Sequence, residues 1–182
     1  MSILVQNQEQ AQTQLQISQT KQPLIIVSLF CCGKTYLSKH SALYSICDLD
    51  DMLDPHTSLS TQFYSSPQTQ ISTLNSLLST QFSLQFILVA PKYHLLHYIQ
   101  SNHLSYVNVF PDNTIQSYNE WKQRNISRNT IHLWNQLKST FYPLIYKMKN
   151  DRLSLHNYIL SSTQYLADII DQIYSDYYTS ST

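Results

Sequence analysis

Gly33-Lys34-Thr35 stands between an apolar run and a short basic-ended segment, and the chain's potential chemistry concentrates there. Residues 28 to 35 read SLFCCGKT. In the pattern G-x-x-x-x-G-K-[ST], backbone N–H groups turn inward around phosphate oxygens, the lysine reaches the terminal phosphates, and the hydroxyl holds magnesium. The closing triplet is present, but Ser28 occupies the first glycine position and Gly33 is the chain's single glycine. If Ser28 or Cys31 must take positive φ, each loses on the order of 1 kcal/mol against glycine. That cost weakens phosphate binding and does not abolish it. The competing reading is a plain strand-to-helix turn with Lys34 pointing to solvent.

Two further sets carry charge in suggestive places. Asp48 and Asp50 close an apolar segment, Leu43 to Cys47. Alternate residues of a strand leave on one side, so both carboxylates can face one site. One would hold a magnesium ion through water and the other would orient an acceptor. The alternative is a capping aspartate beside a surface one. Arg124 and Arg128 are two of only three arginines, placed near a helix end and the turn after it. Solvent-facing cations favoured by the helix dipole are their alternative. His94 and His97 lie three apart with His103 nearby, but no carboxylate or cysteine completes a metal set.

The elements that must position these groups follow from hydrophobic pattern. Leu24 to Phe30, LIIVSLF, is a continuous apolar run that predicts a fully buried parallel strand. Lys34 to His40 predicts a short helix, and Leu43 to Cys47 a second strand. Residues 54 to 68 are rich in Ser, Thr and Pro and read as a loop. Helix spacing marks Gln70 to Ser79 and Lys92 to Asn102, with strands at Phe86 to Ala90 and Leu104 to Phe110. Asn113 to Arg124 predicts a helix capped by Asp112 or Asn113. Thr130 to Met148 predicts a long helix that Pro143 bends, Leu153 to Leu160 a weak fifth strand, and Gln164 to Tyr174 a last helix.

Strands alternating with helices argue for a three-layer α/β/α fold with a mostly parallel five-stranded sheet of the P-loop NTPase type. Ligands bind such sheets beyond the carboxyl ends of the strands. Every group singled out above falls at those ends. Residues 1–22 are low in complexity and glutamine-rich, and predict a disordered tail. Residues 23–176 form the expected domain, and 177–182 a second tail.

Composition bounds the function. Formal net charge is zero and charged residues are 12% of the chain, so no electrostatic footprint points to nucleic acid or an anionic membrane. Cys31, Cys32 and Cys47 have no disulfide or zinc spacing and fit a reduced, cytosolic setting. No apolar run is long enough to span a membrane, and the first residues do not resemble a signal peptide.

The motifs together resemble a family of small P-loop nucleotide kinases common in bacteriophages, adenylate-kinase-like or deoxynucleoside-monophosphate-kinase-like. Its members open with G-F-P-G-x-G-K-[ST]-Y-L-[SA]-K; residues 28 to 39, SLFCCGKTYLSK, align with this from Gly33 on, while Ser28 and Cys31 replace glycines and Phe30 replaces the proline. A strand ending D-x-D-S is matched by Asp48-Leu49-Asp50, with Asp51 in place of the serine. A strand ending Y-P-D before a helix is matched by Val109 to Asp112, followed by Glu120-Trp121-Lys122-Gln123-Arg124. A closing YLSDII helix is matched by residues 165 to 170, YLADII. The resemblance spans roughly residues 24 to 175.

This resemblance implies an ATP-dependent transfer of the γ-phosphoryl group to a nucleotide or similar small acceptor. It implies an ATP-binding loop of Ser28, Cys31, Cys32, Gly33, Lys34, Thr35 and Tyr36, with Mg2+ held at Thr35 and Asp48. Lys34, Asp48, Asp50, Arg124 and Arg128 would carry the chemistry, the arginines as clamps on the transferring group. The setting would be cytoplasmic, in the host if the protein is viral. Within the same class, a polynucleotide 5′-end is the other acceptor. Outside it, a catalytically degenerate P-loop-fold binding protein is the rival. An enzyme would gather Lys34, the aspartates and Arg124 on an open cleft; a scaffold would fill the loop and turn Lys34 outward.

Overall fold

Leu24–Ser28 forms strand β1, buried on both faces because every residue up to Val27 is aliphatic. The computed structural model describes residues 22–53, 66–79, 84–127, 134–135 and 138–179. The remaining strands are β2 (Ile46–Asp48), β3 (Phe86–Val89), β4 (Tyr106–Pro111) and β5 (Asn157–Leu160). They make one sheet in the order β2-β3-β1-β4-β5, with all four pairings parallel. Ile26 of β1 sits opposite Leu88 of β3 and Val107 of β4.

The helices between strands are α1 (Lys34–His40), α2 (Leu49–Leu53), α3 (Pro67–Ser79), α4 (Tyr93–Ser101), α5 (Ile115–Ser127), α6 (Phe141–Lys149) and α7 (Ile170–Tyr174). They flank the sheet in a three-layer, P-loop-NTPase-like α/β/α architecture. The chain leaves β1 toward one edge through β2 and returns by β3, then crosses to the other side with β4 and β5. The connection order therefore reverses at β1, and that reversal opens a crevice beyond its carboxyl end.

Several boundaries differ from the sequence expectation for local reasons. β2 stops at Asp48, whose Oδ1 accepts the Asp50 N–H at 3.1 Å and starts α2. Asp48 and Asp50 thus do not alternate along one strand; the capping carboxylate ends it. Ser66 caps α3 by accepting the Thr69 N–H, with Pro67 at the first helical position. Thr114, not Asp112 or Asn113, caps α5 by accepting the Ser117 N–H, while Asp112 Oδ1 accepts from the Thr114 amide and hydroxyl.

The long helix expected over 130 to 148 is interrupted: residues 134–135 are helical, 138–140 form a turn, and α6 begins at Phe141, which places Pro143 in its first turn, where no helical bond is lost. The last helix is broken into a 3-10 turn (Leu166–Asp168), α7 and a π-helical turn (Ser175–Thr179). Residues 177 to 179 are therefore not tail: Tyr178 is buried and its hydroxyl donates to the Gln85 carbonyl at 2.7 Å. The glutamine-rich segment 1–21, residues 54–65 of the expected loop and residues 180–182 lie outside the described residues.

A polar cluster fastens the far half of the sheet. Asn108, completely buried in β4, donates to Asp151 Oδ2 and to Asn157 Oδ1, and the Tyr106 hydroxyl donates to Asp151 Oδ2 at 2.7 Å. Those bonds tie the turn after α6 to β4 and β5.

Candidate functional site

After β1 the chain turns through Leu29 to Gly33 into α1. Two residues of the turn are left-handed, Cys31 at φ 60° and Gly33 at φ 91°. A Cβ on Gly33 would meet Tyr165 Cδ1 only at ordinary contact distance, 3.4 Å; it is the left-handed φ that puts the chain's one glycine where it is needed. Ser28 keeps strand geometry, and the strain anticipated for both positions falls on Cys31 alone. The first intrahelical bond runs from the Leu37 N–H to the Gly33 carbonyl. The amides of Lys34, Thr35 and Tyr36 precede it and stay outside the helix's own bonding.

Lys34 does not point to solvent. It is buried, and its Nζ donates to the carbonyls of Ser28 at 3.0 Å and Leu29 at 3.1 Å. The ammonium also lies 5.5 Å from the centre of the Phe30 ring. Neither the outward lysine of an inert turn nor a lysine extended into a cleft describes it; it folds back inside its own loop.

Thr35 Oγ1 donates to Asp48 Oδ2 at 2.9 Å, joining the start of α1 to the end of β2. Burial pushes the Asp48 carboxyl up from the usual range, against opposing pulls from Lys34 and the Thr35 hydroxyl. A cation would relieve that burial cost. Mg2+ takes hard oxygen donors and commonly uses one or two carboxylates, completing its shell with water and phosphate oxygens. The Thr35 hydroxyl and Asp48 carboxylate fit that use. Among the described residues no group of three His, Cys, Asp or Glu side chains could hold a metal without such help.

Asp50 is directed elsewhere, to a 2.7 Å ion pair with Lys92 just beyond β3. Asp51 meets Lys39 at 3.1 Å in an exposed pair. The Tyr36 side chain is exposed and stacked on His40 with ring centres 4.3 Å apart, so only its backbone belongs to the turn. Cys32 is buried, and burial pushes its thiol up.

Arg124, on α5, donates to the carbonyls of Ser162 at 2.7 Å and Gln164 at 3.1 Å, and its guanidinium lies 3.9 Å from the centre of the Tyr165 ring. The Leu166 N–H donates to the Cys32 carbonyl at 2.8 Å. Arg124 therefore grips the segment after β5, and that segment, through Tyr165 and Leu166, lies against Gly33 and Cys32. Arg128 lies outside the described residues. Trp121, one turn before Arg124, donates its indole N–H to the Phe30 carbonyl.

A cavity of about 690 Å³ opens beside the loop, with Phe30 as the shared wall. Pro67 and Gln70 of α3, Lys92 to His94 at the start of α4, and Leu144 and Lys147 of α6 form the other sides. Its charged groups are cationic: Lys92, and Lys147, whose Nζ lies 5.4 Å from the Tyr93 ring centre. His94 faces Gln70 Oε1 at 2.8 Å, and desolvation together with Lys92 holds its imidazole below its ordinary pKa. Sequence reasoning missed Lys92, Gln70 and Lys147, and weighed His94 only as a metal ligand. Lys92 had a signal, since it follows the carboxyl end of a buried strand. The others come together only through packing.

No protein-family model matches the chain, and comparisons with curated proteins and with solved structures find no match.

Proposed function

We propose that the protein is an ATP-dependent phosphotransferase acting on a nucleotide or similar small acceptor, of the kind found in the small phage nucleotide kinases that its motifs resemble. The observation that carries this reading is a juxtaposition. Lys34, Thr35 and Asp48 converge on one loop, and the cationic cavity shares the Phe30 wall of that loop. Phosphoryl transfer asks for positioning and charge neutralisation more than for covalent chemistry. Two adjoining anion-friendly spaces supply both.

In this reading the Ser28–Tyr36 turn holds the ATP phosphates, and Lys34 leaves the Ser28 and Leu29 carbonyls to meet them. Thr35 and Asp48 hold Mg2+, which when bound supplies charge neutralisation on the phosphates. Lys92 and Lys147 receive an anionic acceptor, with Phe30 and Tyr93 as flat apolar surfaces beside it. Asp50 keeps Lys92 aimed. Arg124 positions Tyr165 and Leu166 against the loop, and its part in clamping the transferred group is open to direct test. A polynucleotide 5′-end is the less favoured acceptor, given zero net charge. Among the described residues, no helix is long and apolar enough to cross a membrane.

A second reading, a catalytically degenerate binding protein, draws on the strained Cys31 and on Lys34 bonding its own loop. Acceptor-dependent ADP release separates the two. Purified protein with ATP and Mg2+ is offered nucleoside monophosphates and, separately, a 5′-hydroxyl oligonucleotide. Turnover with a monophosphate, lost in Lys34→Ala, supports the enzyme. ATP binding without turnover on any acceptor supports the binding protein.

A further inference from the structure

We propose that the outer face of α5 and α6 binds single-stranded nucleic acid. The inference uses residues that the site above does not, and it stands apart from the phosphotransferase reading. Zero net charge over the whole chain hides a segregation. Seven of the eleven Lys and Arg residues fall between Lys122 and Arg152, and Asp151 is the one acid among them. That carboxylate is turned inward, where it accepts from the Tyr106 hydroxyl and the Asn108 amide.

The face itself carries positive charge without acidic partners. Among the described residues the ion pairs are Lys39 with Asp51 and Lys92 with Asp50. Lys122 on α5 and Lys149 on α6 are exposed and meet no carboxylate. Exposed Glu120 lies two residues before Lys122, on the far side of α5 from it.

The face also carries open aromatic rings. Phe141, Ile145 and Met148 are the buried side of α6, so Tyr142, Tyr146 and Lys149, at i, i+4 and i+7, share its outer side. Tyr142 is 41% exposed and Tyr146 is 72% exposed. Tyr142 lies parallel to Tyr118 of α5, with ring centres 5.5 Å apart and 8° between the planes. Lys122 follows Tyr118 by one helical turn. The stacked pair therefore joins two helices into one surface, with a lysine on each.

An unpaired lysine favours phosphate, and every base has a π-face that a tyrosine ring can take. A duplex keeps its bases stacked on one another and offers these rings none. An anionic bilayer would satisfy the lysines but gives the rings no flat partner. The ligand class that uses both features is a single strand, held without base preference.

The test is fluorescence anisotropy of the full chain with an oligothymidylate labelled at its 5′ end, so that no 5′-hydroxyl is offered. The expected Kd lies in the range of about 1–100 μM at low salt. Its logarithmic salt slope should be about −0.7 for each phosphate held, roughly −1.4 for the two lysines. Tyr146→Ala should bind about tenfold more weakly with the slope unchanged, while Tyr146→Phe binds as wild type does. Lys122→Gln and Lys149→Gln should each take about 0.7 from the slope. Melting curves matching wild type confirm that these surface variants fold. No binding, equal binding of the matching duplex, or full affinity in Tyr146→Ala would overturn the proposal. So would retention on phosphatidylserine vesicles without oligonucleotide binding. Saturating ATP–Mg2+ should leave the strand bound; its displacement would move the strand to the phosphate loop and overturn the assignment to this face.

Discussion

Thr35 and Asp48, thirteen residues apart, meet through a 2.9 Å hydrogen bond that links the start of α1 to the end of β2. The same carboxylate accepts the Asp50 amide through its other oxygen, so it caps α2 while facing the loop. One aspartate thus ends a strand, begins a helix and faces a hydroxyl.

Asp48→Asn should trade function for stability. Burial raises the folded carboxyl pKa above its unfolded value of 3.8. The folded state then binds the proton more tightly, so stability is fully present below the unfolded value and is lost as pH rises through the folded pKa. Asparagine removes that charge, keeps the bond from the Asp50 amide through Oδ1, and can donate its NH2 to Thr35 Oγ1 in the reverse direction. The melting temperature of the metal-free protein at pH 7 should rise, by about 2–4 °C for each kcal/mol recovered. Mg2+-dependent ATP binding should be lost. Scanning calorimetry and a Mg2+ titration check the two halves.

His94 gives a pH dependence of the same kind with the opposite sign. Its folded pKa is lowered below 6.5, first by desolvation and then by Lys92. The unfolded chain binds the proton more readily, so stability present above pH 6.5 is lost as pH falls through the unfolded value toward the folded one. Denaturant titrations from pH 8 to 5 should show this decline, and His94→Gln should flatten it.

Gly33→Ala meets a left-handed φ of 91° and a side chain placed 3.4 Å from Tyr165. The expected loss is about 1–2 kcal/mol from the backbone alone. Cys31→Gly should move the other way by somewhat less, because glycine adds entropy to the unfolded chain. Chemical denaturation of the pair reads both signs, and equal effects of one sign would contradict the loop geometry.

Arg124→Lys keeps the charge but loses the planar fork. Arginine here donates to two carbonyls and stacks on Tyr165, which lysine cannot do together. Stability should drop by about 1–3 kcal/mol. If Arg124 also clamps the transferred group, kcat should fall in Arg124→Lys beyond what matched destabilisation by a distant substitution produces.

The fold was largely legible because β1 and β3 are short apolar runs and β4 is broken only by Asn108, and burial on both faces leaves that signature whatever the neighbours. The loop was legible too, from Gly33-Lys34-Thr35 following such a run. Asp50 was misplaced because strand periodicity gives no warning that Asp48 caps a helix. The inward fold of Lys34 could not be read from residue types, since a lysine at a helix start serves equally in solvent or against carbonyls. The cavity was hidden for a different reason. Its walls come from α3, α4 and α6, which sequence separates and only the sheet order brings together.

Calorimetry of ATP binding with Mg2+, comparing wild type with Lys34→Ala, tests the central claim most directly. Micromolar binding by wild type, weakened at least about a hundredfold in the variant, roughly 2.7 kcal/mol, is the predicted result. A folded wild type that binds no ATP, or a variant that binds it as tightly, would contradict the assignment of this loop to phosphate and with it the proposed function.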